Sequence, residues 1–242
     1  MTSKPNQAEQ ASVSTRLRDT STAFAYKSDA ELRKAAWLFA QMKRKWLVGI
    51  GSILTLWTIR LPLVQWIVKN TVFDHFCAGT TLLNSEPRIK KLGEFEVGTI
   101  LDYGAEGKEE ESDFNFTMNE NMRAIEFAAN NSHIKVVSTK ITGMASFGLL
   151  ESIQKGTKLS KEDRMAYRNV LKRLDAICHL AEKKGITIYI DAEETWIQST
   201  IDHLVILMMR RYNQQKPVVF NTFQMYRSDR LQFLIDSYQQ SM

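Results

Sequence analysis

Four polar residues stand where short runs of β-branched and aromatic residues stop. They are Asp102 closing Val97 to Asp102, Lys140 near the end of Ile134 to Ile141, Asp191 closing Ile186 to Asp191, and Asn221 closing Val218 to Asn221. Two carboxylates, an ammonium and an amide are groups that can bind a charged small molecule, orient it and move protons. Any one of them alone reads equally as a strand terminator or a helix N-cap. Four in succession favour a shared task, because parallel strands bring their C-terminal ends to one rim, and α/β proteins bind ligands there.

The elements that would position them follow from the intervening sequence. Each run is short and bounded by Gly, Asn, Ser or Pro, as strands are. Helical spacing predicts helices from Ser28 through Met42 and over 61–76, 117–131, 161–184, 195–213 and 228–240. Strands separated by a dozen or more helical residues pair in parallel through crossover helices, which is the α/β class. A doubly wound nucleotide fold would carry a glycine-rich turn after its first strand. Gly49 to Leu54 and Gly104 to Glu109 both have the wrong glycine spacing for one. A (β/α)8 barrel is the better fit, with its first strand near Val97. Residues 1–26 then read as a flexible tail rich in Ser, Thr, Gln and Asn, residues 27–96 as a helical preface, and residues 97–242 as the barrel segment.

Composition narrows the function classes. Hydrophobic residues at 44% and charged residues at 24% describe a globular chain of 242 residues, which excludes disordered and collagen-like classes. Two cysteines, Cys77 and Cys178, form no disulfide framework and no metal knuckle, and His75, His133, His179 and His203 lack ligand spacing, so no metal is expected. Up to Lys69, eleven Lys and Arg face four Asp and Glu, so the basic excess is local. It centres on Lys43, Arg44 and Lys45, followed by apolar runs from Trp46 to Ile59 and Leu61 to Val68 that Arg60 separates. Neither run reaches the ~20 residues of a transmembrane helix. Two readings stay open, a helix pair packed on its own domain or a peripheral contact with a membrane surface. No nucleic-acid motif accompanies the basic residues.

Five segments, read in order, resemble the proline dehydrogenase family of flavoenzymes. They are Phe76 to Thr81, Leu101 to Gly107, Ser138 to Gly143, Tyr189 to Thr195 and Pro217 to Tyr226. The resemblance covers about residues 27–242 and is nearest to the stand-alone enzymes. It implies a distorted (β/α)8 barrel that binds FAD, oxidises L-proline to Δ1-pyrroline-5-carboxylate in the first step of proline catabolism, and passes the electrons to a membrane quinone. By the same resemblance Lys140 binds the substrate carboxylate, and Asp191 orders the polar network of the pocket. Glu106 matches a glutamate that closes the active site against a late arginine, with Asp102 beside it. Asn221, Asp191 and Gln224 are then the cofactor contacts. Read from the residues alone, Glu106 is equally a solvated charge in an acidic run.

The family's later strand and its paired arginines have no counterpart before Met242. A full barrel takes ~250 residues, so only about the first four βα units fit after Val97. The expectation is therefore the first half of a barrel with its C-terminal half missing. Its open sheet edges would leave it weakly active alone, associated as a homo-oligomer, or part of a longer protein. Two alternatives stand beside proline oxidation: a Schiff-base aldolase using Lys140 with Asp191, or an inactive pseudoenzyme serving as an interaction module. The expected location is the bacterial cytoplasm, peripheral on the inner membrane, or the mitochondrion if the source is eukaryotic.

Overall fold

A computed structural model describes residues 20–241. Residues 1–19 of the expected tail lie outside them, and residues 21–26 form turns that are exposed up to Tyr26, which is half-buried. The chain divides into two compact units after Val97.

The N-terminal unit is helical. Helix α1 (Asp29–Met42) opens on a capping box in which Ser28 Oγ accepts the Glu31 N–H and the Glu31 carboxylate accepts the Ser28 N–H at 2.7 Å. Helix α2 (Lys45–Thr58) follows, then α3 (Pro62–Val68), which continues through a π-helical turn (Lys69–Phe73) and a short helical turn (Asp74–Phe76). Pro62 sits at the start of α3, where a missing N–H leaves no bond unmade. Helix α4 (Leu82–Gly93) and an early stretch of chain are stitched by charge: Arg88 donates to the carbonyls of Cys77 and Asp74, Lys34 pairs with Asp74, and Lys91 with Glu31. Packing of α2 is one-sided. Leu47, Gly51, Thr55 and Thr58 are half-buried, but neither α2 nor α3 contains a buried residue.

The C-terminal unit is a sheet of four parallel strands in sequence order. They are β1 (Thr99–Asp102), β2 (Ile134–Thr139), β3 (Thr187–Ile190) and β4 (Val219–Asn221). Their connections are α5 (Glu111–Ala129), α6 (Phe147–Gln154) with α7 (Lys161–Lys184), and α8 (Gln198–Tyr212), and α9 (Arg230–Ser241) follows β4. Helix α5 begins six residues before its expected start, and α4 and α6 had no counterpart in the expected elements.

Side-chain alternation along each strand separates two faces. Leu101, Val137, Ile188 and Val219 are register partners and all buried. Helix α7 contacts both α5 and α8, and the three helices contact β3, β2 and β4 respectively. The other face carries Asp102, Ser138, Tyr189 and Phe220 in register, and Ile100 and Phe220 on it are exposed. Helices on one side only is the arrangement of a barrel wall, whereas a doubly wound sheet is covered on both. Helix α7 ends on Gly185, whose φ of +70° is the left-handed conformation that glycine adopts without penalty.

Candidate active site

Residue parity decides which side chains meet. Asp102 and Ser138 lie on the open face, and Lys140 and Asp191, each two residues beyond an open-face position, continue that row past the strand ends. The Lys140 ammonium stands 3.5 Å from Asp191, 3.6 Å from Asp102 and 4.0 Å from Glu106. Three of the four strand-end residues identified from sequence, with Glu106, therefore form one cluster. Glu106 is its outermost member, with a side chain 67% exposed. The Ser138 hydroxyl donates to the second oxygen of Asp191 at 2.8 Å and fixes that carboxylate.

The electrostatics of the cluster favour a charged lysine. Partial burial pushes the Lys140 pKa down, but Asp102, Asp191 and Glu106 together outweigh it and the net shift is upward. All three distances exceed the 2.7–2.9 Å of a tight charge-assisted hydrogen bond. The ammonium is thus held by the field of its neighbours while its N–H donors can still turn to an incoming acceptor. A nucleophilic lysine needs the opposite shift, so this environment speaks against a Schiff base at Lys140.

The loop beyond Lys140 is held from the next strand. Glu193 Oε1 accepts the backbone N–H groups of Ile141 at 2.8 Å and Thr142 at 3.1 Å, and its other oxygen accepts the Thr142 hydroxyl. Burial raises the Glu193 pKa, against the lowering effect of those hydrogen bonds. On the same turn Gly143 lies so close to the β1 loop that a Cβ would meet the Ala105 carbonyl oxygen at 2.6 Å. Only glycine permits that approach, and it seats the loop carrying Glu106 beside the loop carrying Lys140.

Asn221 belongs to a different network. By alternation it lies on the helix-covered face, and its Nδ2 donates to Asp202 of α8 at 3.0 Å while its Oδ1 accepts the Thr222 N–H. Asp202 also accepts from Gln198 at 3.0 Å and forms a buried ion pair with Arg230 at 2.5 Å. Gln198 in turn accepts the Glu193 N–H at 2.7 Å, so the two networks join through the β3 loop. Gln224 donates to the Glu193 carbonyl at 2.8 Å, and its oxygen accepts from Arg227. Its side chain is spent on holding the loops together.

Glu193, Gln198, Asp202 and Arg230 were not singled out from sequence. A signal existed for two of them: Gln198 and Asp202 fall at helical spacing in the same stripe as Ile201, Val205 and Met208, all buried. Polar residues inside an apolar stripe must have buried partners.

Comparison with known proteins agrees with this architecture. The sequence model of the family described as "Proline dehydrogenase" matches residues 85–242. The chain is 27% identical over 190 residues to the carbapenem antibiotics biosynthesis protein CarD of Pectobacterium carotovorum subsp. carotovorum, covering 78% of this chain and 50% of that one. It is 27% identical over 200 residues to the mitochondrial proline dehydrogenase 1 of Dictyostelium discoideum, covering 67% and 35%. The crystal structure of proline utilization A from Bdellovibrio bacteriovorus, inactivated by N-propargylglycine, superposes with a TM-score of 0.60 at 16% identity, over 73% of this chain and 20% of that one. The chain spans half or less of the length of these relatives. The four βα units are accordingly a partial barrel of that type, and the chain belongs to the proline dehydrogenase family.

Proposed function

We propose that the Lys140 rim is a proline site and that the protein takes part in FAD-dependent oxidation of L-proline to Δ1-pyrroline-5-carboxylate, with quinone as the electron acceptor. The observation that carries this is the single ammonium set among three carboxylates. Proline is a zwitterion, and such a cluster offers each of its charges an opposite one. Lys140 takes the carboxylate, and Asp102 and Glu106, more exposed than Asp191, meet the ring ammonium. Asp191, fixed by Ser138, sets the position of Lys140.

The open face fits a flavin ring in kind. Tyr189 and Phe220 form an aromatic floor on it, with ring centroids 5.3 Å apart. Asp191 would hold the ring's polar edge, with Asn221, turned to the helix-covered face, and Gln224 fastening the loops behind it. FAD, when bound, would supply the hydride acceptor for a reaction in which the ring ammonium gives a proton to the facing Asp102 or Glu106 carboxylate and the ring C–N bond becomes C=N as the hydride leaves. The protein's part is orientation, since a carboxylate anchored on Lys140 sets which ring C–H bond faces the flavin. Lys140 stays protonated throughout, as its raised pKa favours.

The same reading treats the described βα units as the first half of a barrel. It also includes a peripheral membrane contact through Lys43, Arg44 and Lys45, because quinones dissolve in lipid, with the bilayer being the bacterial inner membrane or, in a eukaryote, a mitochondrial membrane.

The test is proline-dependent dye reduction by the purified protein supplied with FAD. The expected result is reduction that Lys140→Met abolishes. Borohydride trapping of a carbonyl compound on Lys140, without dye reduction, would contradict the proposal.

A further inference from the structure

We propose that α2 and α3 seat the N-terminal unit on an anionic lipid bilayer, lying in the interface plane without crossing it. This deepens the membrane contact of the reading above and rests on no part of the chemistry at Lys140.

Helix α2 is apolar on opposite sides. Leu47, Gly51 and Thr55 are half-buried along one side, and Trp46, Ile50, Ile53 and Trp57 recur at helical spacing on another, each more than half exposed. Trp57 is 83% exposed and the neighbouring Leu56 79%. On α3, Leu63, Trp66 and Ile67 repeat the pattern at i, i+3 and i+4. A monomer in water rarely leaves so extended an apolar surface bare.

Charge identifies the occupant. Between Leu32 and Phe73 the chain contains no Asp or Glu. Lys43, Arg44, Lys45, Arg60 and Lys69 flank the apolar stripes, and among the described residues none of the five is in an ion pair. A second copy of this face would bring like charges together with no carboxylate between them. An anionic lipid surface neutralises them instead, and basic side chains at helix ends reach its headgroups while the stem between them lies in the acyl boundary. Tryptophans suit that boundary because one edge of the ring is apolar and the other polar.

Length sets the mode. Fourteen residues of α2 extend about 21 Å, against a hydrocarbon core of ~30 Å. No described helix is long and apolar enough to cross a membrane.

Flotation of the purified 242-residue chain with vesicles tests this, using phosphatidylcholine alone or mixed with phosphatidylglycerol. The wild type is expected to float with the mixed vesicles only. Replacing Lys43, Arg44 and Lys45 by Gln together is expected to lower the partition coefficient about a hundredfold, the combined effect of three basic residues at an anionic surface. Leu56→Ser with Trp57→Ser is expected to abolish flotation with helical circular dichroism unchanged, both side chains being exposed. Equal flotation with both vesicle types, or undiminished flotation of both variants, would overturn the proposal. So would a soluble wild-type dimer that Trp57→Ser splits, which would give the face to a second copy. Flotation reads membrane contact alone and dye reduction reads the chemistry, so failure of one is distinguishable from failure of the other.

Discussion

Glu193 holds Thr142 at two points, accepting both its backbone N–H and its hydroxyl, so the loop after β3 fixes the loop after β2 two residues beyond Lys140. Ile141 and Thr142 are fully buried, and without the carboxylate their N–H groups have no solvent to turn to. Glu193→Ala is expected to cost about 3 kcal/mol in urea unfolding, the penalty of stranding two buried donors. Glu193→Gln keeps one acceptor oxygen and is expected to lose less.

The same pair gives a pH dependence of defined sign. Burial raises the folded-state pKa of Glu193 above its unfolded value. Between those two values the folded state binds the extra proton, so the contribution of Glu193 to stability is full below the unfolded pKa and is lost as pH rises through the folded one. The stability difference between wild type and Glu193→Gln is therefore expected to shift in favour of wild type on acidification from neutral toward the ordinary carboxyl range. Urea midpoints of the two proteins across that range check this, and a difference independent of pH would contradict it.

Asp202 and Arg230 form an ion pair with both side chains 6% exposed. Removing one partner of a buried pair weakens the compensation of the other, so Asp202→Leu alone is expected to destabilise by about 3 kcal/mol or more, whereas Asp202→Leu with Arg230→Met is expected to recover part of that loss, the Gln198 and Asn221 donors staying unmet. A double variant no better than the single one would show that Arg230 is held by Asp229 and does not depend on Asp202.

How far the site was legible in the sequence depends on the range of the interaction. The polar residues at run ends were enough to place Asp102, Lys140 and Asp191 on one rim, because parallel strands end on the same side, whereas period-two alternation decides which face each occupies. The same alternation, counted through to the end of β4, puts Asn221 on the helix-covered side, toward Asp202. Glu193 was invisible for another reason. It lies next to Glu194 in an acidic pair, and only the fold brings the first of them against the N–H groups of a loop 51 residues earlier in the chain. The exposure of α2 was likewise undetermined, since its apolar run satisfies a packed helix and a membrane-facing one equally well.

The most direct measurement is calorimetric titration of the purified protein with L-proline and with pyrrolidine, which keeps the ring amine and lacks the carboxylate. If Lys140 anchors the carboxylate, proline binds and pyrrolidine does not, and Lys140→Met weakens proline about a hundredfold, the worth of one charge-assisted hydrogen bond of up to ~3 kcal/mol. Equal binding of the two compounds, or undiminished proline binding by Lys140→Met, would contradict the assignment of this rim as the proline site.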